Sequence, residues 1–298
     1  MNLHGWIIYN GTLSGNKFLD YAEWIQQAAY ARGSETTIYK NNELNPYLVS
    51  GESGLIKKKD EKIADYVVFA DKDIYLAKQL ELMGLHVFNS SQAIEISDDK
   101  IATYQHLAKA GLPIPRTIVY PKVFITAQPD EDVINNAIKS LGFPMVVKES
   151  FGSFGEQVYL IHTREELWNK VNELLGKAFV FQEFISSSYG KDMRLQVVGN
   201  EVVAAMKRAS KNDFRANVSA GGTMEAYTPT KIEREMAVQA TKSIDADFAG
   251  VDLLYGADGS PLICEINSNA HIRNMYDCTN INVADFIMDY IINTLTQE

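Results

Sequence analysis

The sequence predicts an α/β fold that begins with a small, doubly wound parallel sheet. Three short apolar segments have the length and the β-branched or aromatic content of buried strands. They are residues 6–9, 36–39 and 65–70. Between the first two, apolar residues recur at helical spacing from Phe18 to Ala29, and strand–helix–strand order is typical of parallel sheets. We therefore predict an N-terminal α/β domain over residues 1–96, completed by a helix at 74–83 and a strand at 85–89.

The composition is that of a globular protein with more than one hydrophobic core. The chain has 298 residues, of which 46% are hydrophobic and 22% are charged. Lys and Arg number 28 against 38 Asp and Glu, which gives a net charge of −10. This balance disfavours nucleic acid and anionic membranes as partners, because both attract cationic surfaces. The five histidines are scattered, so the sequence indicates neither a histidine metal site nor a Ser–His–Asp arrangement.

The number and spacing of the cysteines indicate the redox state of the cellular compartment. Cys264 and Cys278 form neither a CxxC pair nor a metal-ligand spacing, and two cysteines in a chain of this length favour a reducing environment. Cys264 lies within a predicted strand, where we expect it to be a small core residue. The N-terminus lacks a basic region followed by a long apolar run, and no apolar run approaches transmembrane length. We therefore expect a cytoplasmic protein.

Two further domains are predicted, over residues 97–188 and 189–298. The first of them begins with a helix that Ser97 or Asp98 can cap, since both residue types accept hydrogen bonds from exposed N–H groups. The helix ends before two prolines, which exclude helical backbone in the residues that precede them. Strands and helices of ordinary length follow in both domains, and no segment is repeated or of low complexity.

Residues 142–148 are predicted to form a turn that enters an apolar strand, and a lysine closes this strand. Lys148 costs free energy at such a position unless it is paired. The Gly- and Ser-rich loop at residues 150–158, which contains Ser153, can present N–H groups and hydroxyls to a phosphate. The alternative is a surface turn with a lysine that extends into solvent. These residues alone favour the surface turn.

A second strand, at residues 178–185, ends in polar groups. Gln182 and Glu183 precede Phe184 and Ile185, and then a run of serines. Main-chain and side-chain polar groups at such a strand end can bind the edge of an adenine. An ordinary strand that runs into a serine loop is the alternative.

Three arginines are predicted to converge on one region of this acidic chain. A β-hairpin turns at Gly199-Asn200, and its first strand carries Asp192 and Arg194 on one face. The second strand leads to Arg208, and Arg215 follows. Arginine is suited to carboxylate and phosphate oxygens. The alternative is surface charge on exposed strands.

Two apolar segments around a Gly-Ala-Asp-Gly-Ser-Pro loop predict a second β-hairpin, near the C-terminus. If Tyr255 faces Leu262, Asp252 lies opposite Glu265, and Asn267 shares the face of Glu265. Two facing carboxylates destabilise a sheet, and a divalent cation such as Mg²⁺ reverses that cost. An edge hairpin with exposed acids is an equal alternative.

Taken in order, these features resemble the ATP-grasp superfamily and, within it, the RimK-like carboxylate–amine ligases. The segments that carry the resemblance are residues 99–100, 111–117, 144–148, 182–185, 191–194, 214–217, 221–222, 249–252 and 265–267. Each is weak alone, whereas the ordered set is specific. The resemblance covers nearly the whole chain, is weakest in the first ninety or so residues, and implies an ATP-grasp fold after the N-terminal sheet.

The resemblance also implies the roles of individual residues. Those that it assigns to the nucleotide are Lys100, Lys148, Ser153, Gln182, Glu183, Phe184, Ile185, Asp192, Arg215 and Asn217. Those that it assigns to catalysis are Arg194, Arg208 and Arg215. Those that it assigns to two Mg²⁺ ions, with Mn²⁺ as a second candidate, are Asp252, Glu265 and Asn267.

The implied activity is an ATP- and Mg²⁺-dependent ligation of a carboxylate to an amine. The carboxylate attacks the γ-phosphate to give an acyl phosphate and ADP, and the amine then displaces phosphate. The expected reaction adds an amino acid of glutamate type to a peptide, protein or small metabolite, and similar proteins commonly form homo-oligomers. The alternatives are a dipeptide or D-alanine-type ligase and, from another class, a non-catalytic ATP-binding regulatory protein.

Two departures from the family pattern bear on specificity. The sequence Gly155-Glu156-Gln157-Val158 stands where relatives commonly have Gly-x-Gly-Val, which implies a lid loop that closes differently. Residues 268–274 replace the Pro-Gly turn of glutamate-adding relatives, so the identity of the amine substrate is open. Within this turn, His271 and Arg273 either recognise a substrate carboxylate or have no role.

Overall fold

The computed structural model describes residues 3–56, 62–124, 128–152, 155–216 and 222–297. Its strands, numbered in chain order, are β1 (His4–Tyr9), β2 (Glu35–Lys40), β3 (Asn45–Val49), β4 (Glu52–Ile56), β5 (Tyr66–Ala70), β6 (Val87–Phe88), β7 (Thr117–Val119), β8 (Met145–Glu149), β9 (Val158–Ile161), β10 (Phe179–Glu183), β11 (Lys191–Val198), β12 (Glu201–Ala209), β13 (Thr223–Ala226), β14 (Phe248–Tyr255) and β15 (Pro261–Asn267). Its helices are α1 (Lys17–Ala31), α2 (Ile74–Leu82), α3 (Ser91–Asp98), α4 (Lys100–Lys109), α5 (Glu131–Leu141), α6 (Arg164–Leu174), α7 (Lys231–Ser243), α8 (Arg273–Thr279) and α9 (Val283–Gln297).

The first sheet is parallel and has the spatial order β2-β1-β5-β6. Strands β1 and β5 are buried along their whole length, because helices cover both faces of the sheet. Ile7 and Val68 pack with α1 and α9, whereas Ile8 and Phe69 pack with α2. Continuous apolar strands are typical of parallel sheets covered in this way. The predicted doubly wound parallel sheet is therefore confirmed.

The second sheet is antiparallel and has the order β7-β10-β8-β9. Helices α5 and α6 pack on it through apolar residues such as Ile134 and Leu167. Strands β8 and β10 are neighbours, with Lys148 opposite Val180 and Gln182 opposite Val146. The sheet thus places the lysine strand beside the strand that ends in polar groups.

The third sheet is antiparallel and has the order β13-β12-β11-β14-β15. Met193, Leu195 and Val197 of β11 pack in a core with α4 and α7. Because side chains alternate along a strand, Asp192 and Arg194 lie on the opposite face. The alternation predicted for this strand is confirmed, and it turns polar groups away from the core.

The predicted helix caps near residue 97 were wrong. Ser97 and Asp98 are the last residues of α3, a helix that was not expected from the sequence. Asp99 has an extended backbone, and its side chain accepts hydrogen bonds from the N–H groups of Ile101 and Ala102, so it caps α4. The two helices follow each other without a loop, which hides the boundary in the sequence.

The C-terminal hairpin is formed by β14 and β15. Tyr255 lies opposite Pro261, so the predicted pairing at the loop was wrong by one residue. A β-bulge at Cys264 compensates for the shift, and Asp252 faces Glu265 as predicted. The bulge leaves Cys264 partly exposed instead of in the core. The key pairing is therefore present, but a different local geometry produces it.

The division into three domains at residues 97 and 189 stays a prediction. Helices α3 and α4, through Ile96 and Tyr104, share a core with β11 and α7 of the third sheet. None of the helices in the described ranges has the length and hydropathy of a bilayer-spanning segment.

Candidate functional site

Two cavities share part of their walls. The first, named here the intersheet cavity, lies between the second and third sheets and has a volume of about 120 Å³. The second, the N-terminal cavity, lies between the carboxyl edge of the first sheet and the third sheet, and its volume is about 310 Å³. Glu265 and Gly155 line both cavities. Ligands in the two cavities can therefore meet at these residues.

Most of the predicted site residues line one of these cavities. Those in the intersheet cavity are Lys100, Lys148, Gln182, Glu183, Phe184, Ile185, Asp192, Arg215, Asp252 and Glu265. Those in the N-terminal cavity are Arg194, Arg208, Glu265 and Asn267. Ser153 and Asn217 lie outside the described residues. Residues that are far apart in the sequence thus share two adjoining cavities.

Lys148 does not extend into solvent, since the residue is 7% exposed. Its Nζ donates to the hydroxyl of Tyr104 at 3.1 Å and lies 3.6 Å from Sγ of Cys264. The Tyr104 hydroxyl donates in turn to the main-chain oxygen of Cys264. Burial opposes the charged form, but the groups of Cys264, Tyr104 and Glu265 raise the pKa of Lys148. The side chain is therefore a fixed ammonium in the wall of the intersheet cavity.

Lys100 is the first residue of α4 and lies at the junction of the cavities. Its Nζ donates to the main-chain oxygen of Gly152 at 3.3 Å and lies 3.7 Å from a carboxylate oxygen of Glu265. The backbone N–H of Lys100 donates to Ser150, which connects α4 to the loop after β8. This ammonium can therefore contact an anionic ligand that reaches Glu265.

Residues 182–185 form one wall of the intersheet cavity. The Gln182 side chain is buried and donates to Oγ1 of Thr117 at 2.8 Å, so its amide is used within the second sheet. Glu183 ends β10, and Phe184 and Ile185 follow as the connection to the third sheet. The main chain of this connection, more than the Gln182 amide, is available to a flat polar ligand.

Asp252 and two arginines form a buried ion-pair network. Arg194, opposite Asp252 on the neighbouring strand, donates to both of its oxygens at 2.7 and 2.6 Å. Arg208, opposite Asp192, donates to both Asp192 oxygens at 2.6 Å and to Asp252 at 2.9 Å. Opposite charges on facing strand positions explain why these side chains meet.

The network keeps Asp252 charged although it is 4% exposed. Burial alone raises the pKa of such a carboxyl, but the charges of Arg194 and Arg208 outweigh it and lower the pKa of Asp252. Removing one member of a buried pair of this kind leaves an uncompensated charge. The network therefore holds the polar face of β11, β12 and β14 in a fixed arrangement.

Arg215 does not join the other two arginines. Its guanidinium pairs with Asp213 at 2.7 Å and donates to the main-chain oxygen of Gly155. It lines the intersheet cavity, whereas Arg194 and Arg208 line the N-terminal cavity. The predicted convergence thus holds for two arginines, and Arg215 lies across the glycine that both cavities share.

The three predicted metal ligands differ in their availability. Both Asp252 oxygens accept bonds from guanidinium groups. Glu265 keeps 35% of its side chain exposed, and the buried Nδ2 of Asn267 has no hydrogen-bond partner among the described residues. Within those residues no cluster of three His, Cys, Asp or Glu side chains could hold a metal.

These donors nevertheless fit a hard cation. Carboxylate and amide oxygens are ligands that Mg²⁺ takes, together with substrate phosphates and water. Glu265 and Asn267 can bind such an ion where the cavities meet. Both Asp252 oxygens already accept guanidinium hydrogen bonds, so it is the least available of the three.

Several cavity residues were not expected from the sequence. Asn10 follows β1 and Asp71 follows β5, and the Asn10 amide donates to Asp71 at 3.0 Å. Asn269, which follows β15, donates to the main-chain oxygen of Asp71 at 2.7 Å. One general rule could have identified these residues from the sequence: ligands of doubly wound folds bind at the carboxyl ends of the strands. Polar residues directly after β1 and β5 meet that description.

His271 and Arg273, whose role the sequence left open, both contact α1. His271 Nε2 lies 3.0 Å from the main-chain oxygen of Lys17, and His271 lines the N-terminal cavity. The Arg273 guanidinium pairs with Asp20 and lies 4.2 Å from the ring centre of Trp24. Arg273 therefore holds the turn against α1, whereas His271 also faces the cavity.

Comparison with known proteins shows the family to which the chain is similar. Residues 97–291 match the family model described as the RimK-like ATP-grasp domain. The probable alpha-L-glutamate ligase of Vibrio vulnificus (strain YJ016) is 33% identical over 293 residues, which cover 94% of this chain and 93% of that protein.

Solved structures agree in fold. D-cycloserine synthetase DcsG aligns with a TM-score of 0.74 at 15% identity, over 98% of this chain and 99% of that one. The ATP-grasp ligase PsnB, complexed with minimal precursor, Mg and ADP, aligns with a TM-score of 0.72 at 16% identity, over 98% of each chain.

Proposed function

This chain belongs to the RimK-like ATP-grasp family and is an ATP-dependent carbon–nitrogen ligase. From this premise we propose that it adds an amino acid of glutamate type to a carboxylate of a peptide, protein or small metabolite. The observation that carries the proposal is that Glu265 lines both cavities. The acyl phosphate forms at the nucleotide and must then react with the amine, so a nucleotide and an amine substrate held in separate cavities require a point where those cavities meet.

The roles proposed for the intersheet cavity follow from its charges. Lys148 and Lys100 hold phosphate oxygens, and the main chain of residues 183–185 binds the adenine. Arg215 binds the nucleotide from the other side, once it has given up its bond to Gly155. Fixed cations stabilise the charge that develops during phosphoryl transfer without reorganisation. Ser153 and Asn217 are proposed as further nucleotide contacts.

The roles proposed for the junction concern the reacting groups. The carboxylate oxygen attacks the γ-phosphorus and ADP leaves, and the amine nitrogen then attacks the acyl carbon, loses a proton and expels phosphate. Arg194 and Arg208 are held by Asp252 and Asp192 so that their guanidinium groups face this region. Prepositioned groups lower the barrier by holding reactants in line.

ATP-grasp ligases use ATP and Mg²⁺. We propose two Mg²⁺ ions, exchangeable for Mn²⁺, with Glu265, Asn267 and Asp252 as their protein ligands. Bound there, the ions would neutralise phosphate charge and polarise the transferred group. Glu265 and Asn267 are the principal ligands in this proposal, because Asp252 is engaged by two guanidinium groups.

We also propose a reducing, cytoplasmic setting, consistent with Cys264 and Cys278 being free thiols. The proposed partners are ATP, a carboxylate substrate, an amine substrate and, in a homo-oligomer, further copies of the chain.

The experiment is a survey of ADP release with ATP and Mg²⁺. L-glutamate and other amino acids are supplied alone, in pairs, and with short peptides that end in glutamate. We expect ADP release that depends on one combination, with a product whose mass is the sum of the two substrates less water. Release with amino-acid pairs alone would favour the dipeptide-ligase alternative. Bound ATP without substrate-dependent ADP from any mixture would favour the non-catalytic alternative.

A further inference from the structure

The N-terminal cavity has basic groups on two of its walls. Lys17 is the first residue of α1 and comes from the side of the first sheet. Arg194 comes from β11 of the third sheet. Phe18 and Met206 provide apolar surface nearby. A small ligand in this cavity therefore contacts a basic side chain from each side.

Several basic groups of this cavity pair with carboxylates. Lys72 pairs with Asp98 at 2.5 Å. Arg208 donates to two carboxylates. Arg194 uses Nε and Nη2 for Asp252, and its Nη1 has no hydrogen-bond partner among the described residues. One face of the Arg194 guanidinium group is thus available to a ligand in the N-terminal cavity.

The position of Lys17 favours an anion beside it. Burial lowers the pKa of its ammonium, and the charge of Arg194 lowers it further. Two like charges on neighbouring walls repel, and a carboxylate bound between them would reverse that cost.

We propose that the amine substrate is an α-amino acid, or a peptide, whose carboxylate binds between Lys17 and Arg194. This inference rests on the proposed function, because it names a substrate of the same site. The carboxylate that becomes activated must reach the nucleotide and therefore lies at the junction by Glu265. Lys17 lines the N-terminal cavity but not the intersheet cavity. The anionic group that it binds is therefore not the activated one.

His271 supports the same geometry as a positioning residue. Its Nε2 lies 3.0 Å from the main-chain oxygen of Lys17, and its buried Nδ1 has no hydrogen-bond partner among the described residues. The turn after β15 thereby fixes the start of α1 relative to Asn267.

The test is a set of KM values for ATP and for the best amine substrate found in the ADP survey. The same substrate is also supplied with each of its carboxylates converted to an amide. The variants are Lys17→Met, Lys17→Arg as the conservative replacement, and Lys72→Met as the matched control. Lys72 lines the same cavity, but its ammonium is paired with Asp98.

We expect Lys17→Met to raise the KM of the amine substrate about 10-fold or more, as for the loss of a hydrogen bond to a charged group. Its KM for ATP should change by less than about twofold, and it should lose the wild-type preference for one carboxylate over its amide. Lys17→Arg should recover most of the loss, and Lys72→Met should behave like the wild type.

Other results would overturn the inference. An unchanged KM for the amine substrate in Lys17→Met would contradict it. A Lys17→Met variant that still prefers the unmodified substrate over each of its amide forms would contradict it as well. So would a best amine substrate that has no carboxylate. These results leave the ligase function intact if the wild type is active, whereas an inactive wild type would contradict the proposed function itself.

Discussion

The two cavities differ in how the chain builds them. The walls of the intersheet cavity are mostly strand positions, so residues such as Lys148 and Glu265 are placed by pairing and alternation within sheets. The N-terminal cavity is assembled from segments that follow strands or begin a helix, such as Asn10, Lys17 and Asn269. Residues on paired strands are suited to the chemistry that a family has in common. Residues on connecting segments are suited to determining which substrate binds, because these segments tolerate change without loss of the fold.

The cavities also differ in how their charges are held. In the intersheet cavity the buried ammonium of Lys148 lies beside the Tyr104 hydroxyl and the Cys264 sulfur. In the N-terminal cavity the arginines are held by carboxylates of the third sheet, with Asp252 at the centre. The first arrangement leaves its positive charge for a ligand, whereas the second uses much of it for the fold. Variants can separate these two uses.

The largest expected effect is on stability. Asp252→Asn should lower the free energy of unfolding by about 3–5 kcal/mol, because it removes a buried charge that two guanidinium groups share. Urea denaturation measures the change. Asp213→Asn is the matched control, since its pair with Arg215 is partly exposed and should contribute about 0.2–1 kcal/mol. Equal losses in the two variants would mean that the buried network does not hold the third sheet.

The next effect is on turnover. Glu265→Gln should reduce substrate-dependent ADP release by at least about 100-fold, since loss of a metal ligand should cost no less than loss of its supporting groups. The melting temperature should hardly change, because the side chain is 35% exposed. Glu201→Gln, at the exposed start of β12, is the control and should be fully active. An active Glu265→Gln enzyme would contradict the proposal that Glu265 is a metal ligand at the junction of the two cavities.

The smallest effect concerns Asp71, a buried acid of the N-terminal cavity. Burial raises its pKa, although bonds from Asn10 and the Lys72 N–H partly offset this. A raised folded-state pKa means that the contribution to stability is present at low pH and is lost as pH rises through that pKa. Asp71→Asn should therefore raise the melting temperature at pH 7, by about 1–3 °C, and the gain should vanish at about pH 4.

Thermal denaturation at the two pH values checks this prediction. Asp289→Asn is a control of opposite sign, because the Arg32 guanidinium lowers the pKa of Asp289 and the variant should lose stability at pH 7. A loss of stability in Asp71→Asn at pH 7 would mean that the charged carboxylate is needed by the fold.

Much of the fold could be predicted from local pattern. The parallel first sheet followed from apolar runs, and the alternation of β11 separated core residues such as Leu195 from the polar face of Arg194. The facing of Asp252 and Glu265 was also predicted, although the loop pairing behind it was wrong and a bulge at Cys264 corrected it. A bulge depends on tertiary contacts on both strands, and a single sequence does not display them.

The rest depended on contacts between distant segments. Sequence alone favoured a solvated Lys148, whereas Tyr104 on α4 and Cys264 on β15 hold it in the cavity wall. Likewise, nothing in the sequence near Asp71 indicates that Asn269 binds its main chain. Charge and residue type suggested what chemistry was available, but only the packing of the three sheets determines which groups share a cavity.

The central claim is that the two cavities hold different substrates and meet at Glu265. The most direct test measures two KM values, for ATP and for the amine substrate, in Lys148→Met and Lys17→Met. We predict that Lys148→Met raises the KM for ATP by about 10- to 100-fold and that Lys17→Met raises the KM for the amine substrate, each leaving the other KM nearly unchanged. If both variants raise the same KM, or each raises both equally, the cavities do not bind separate substrates.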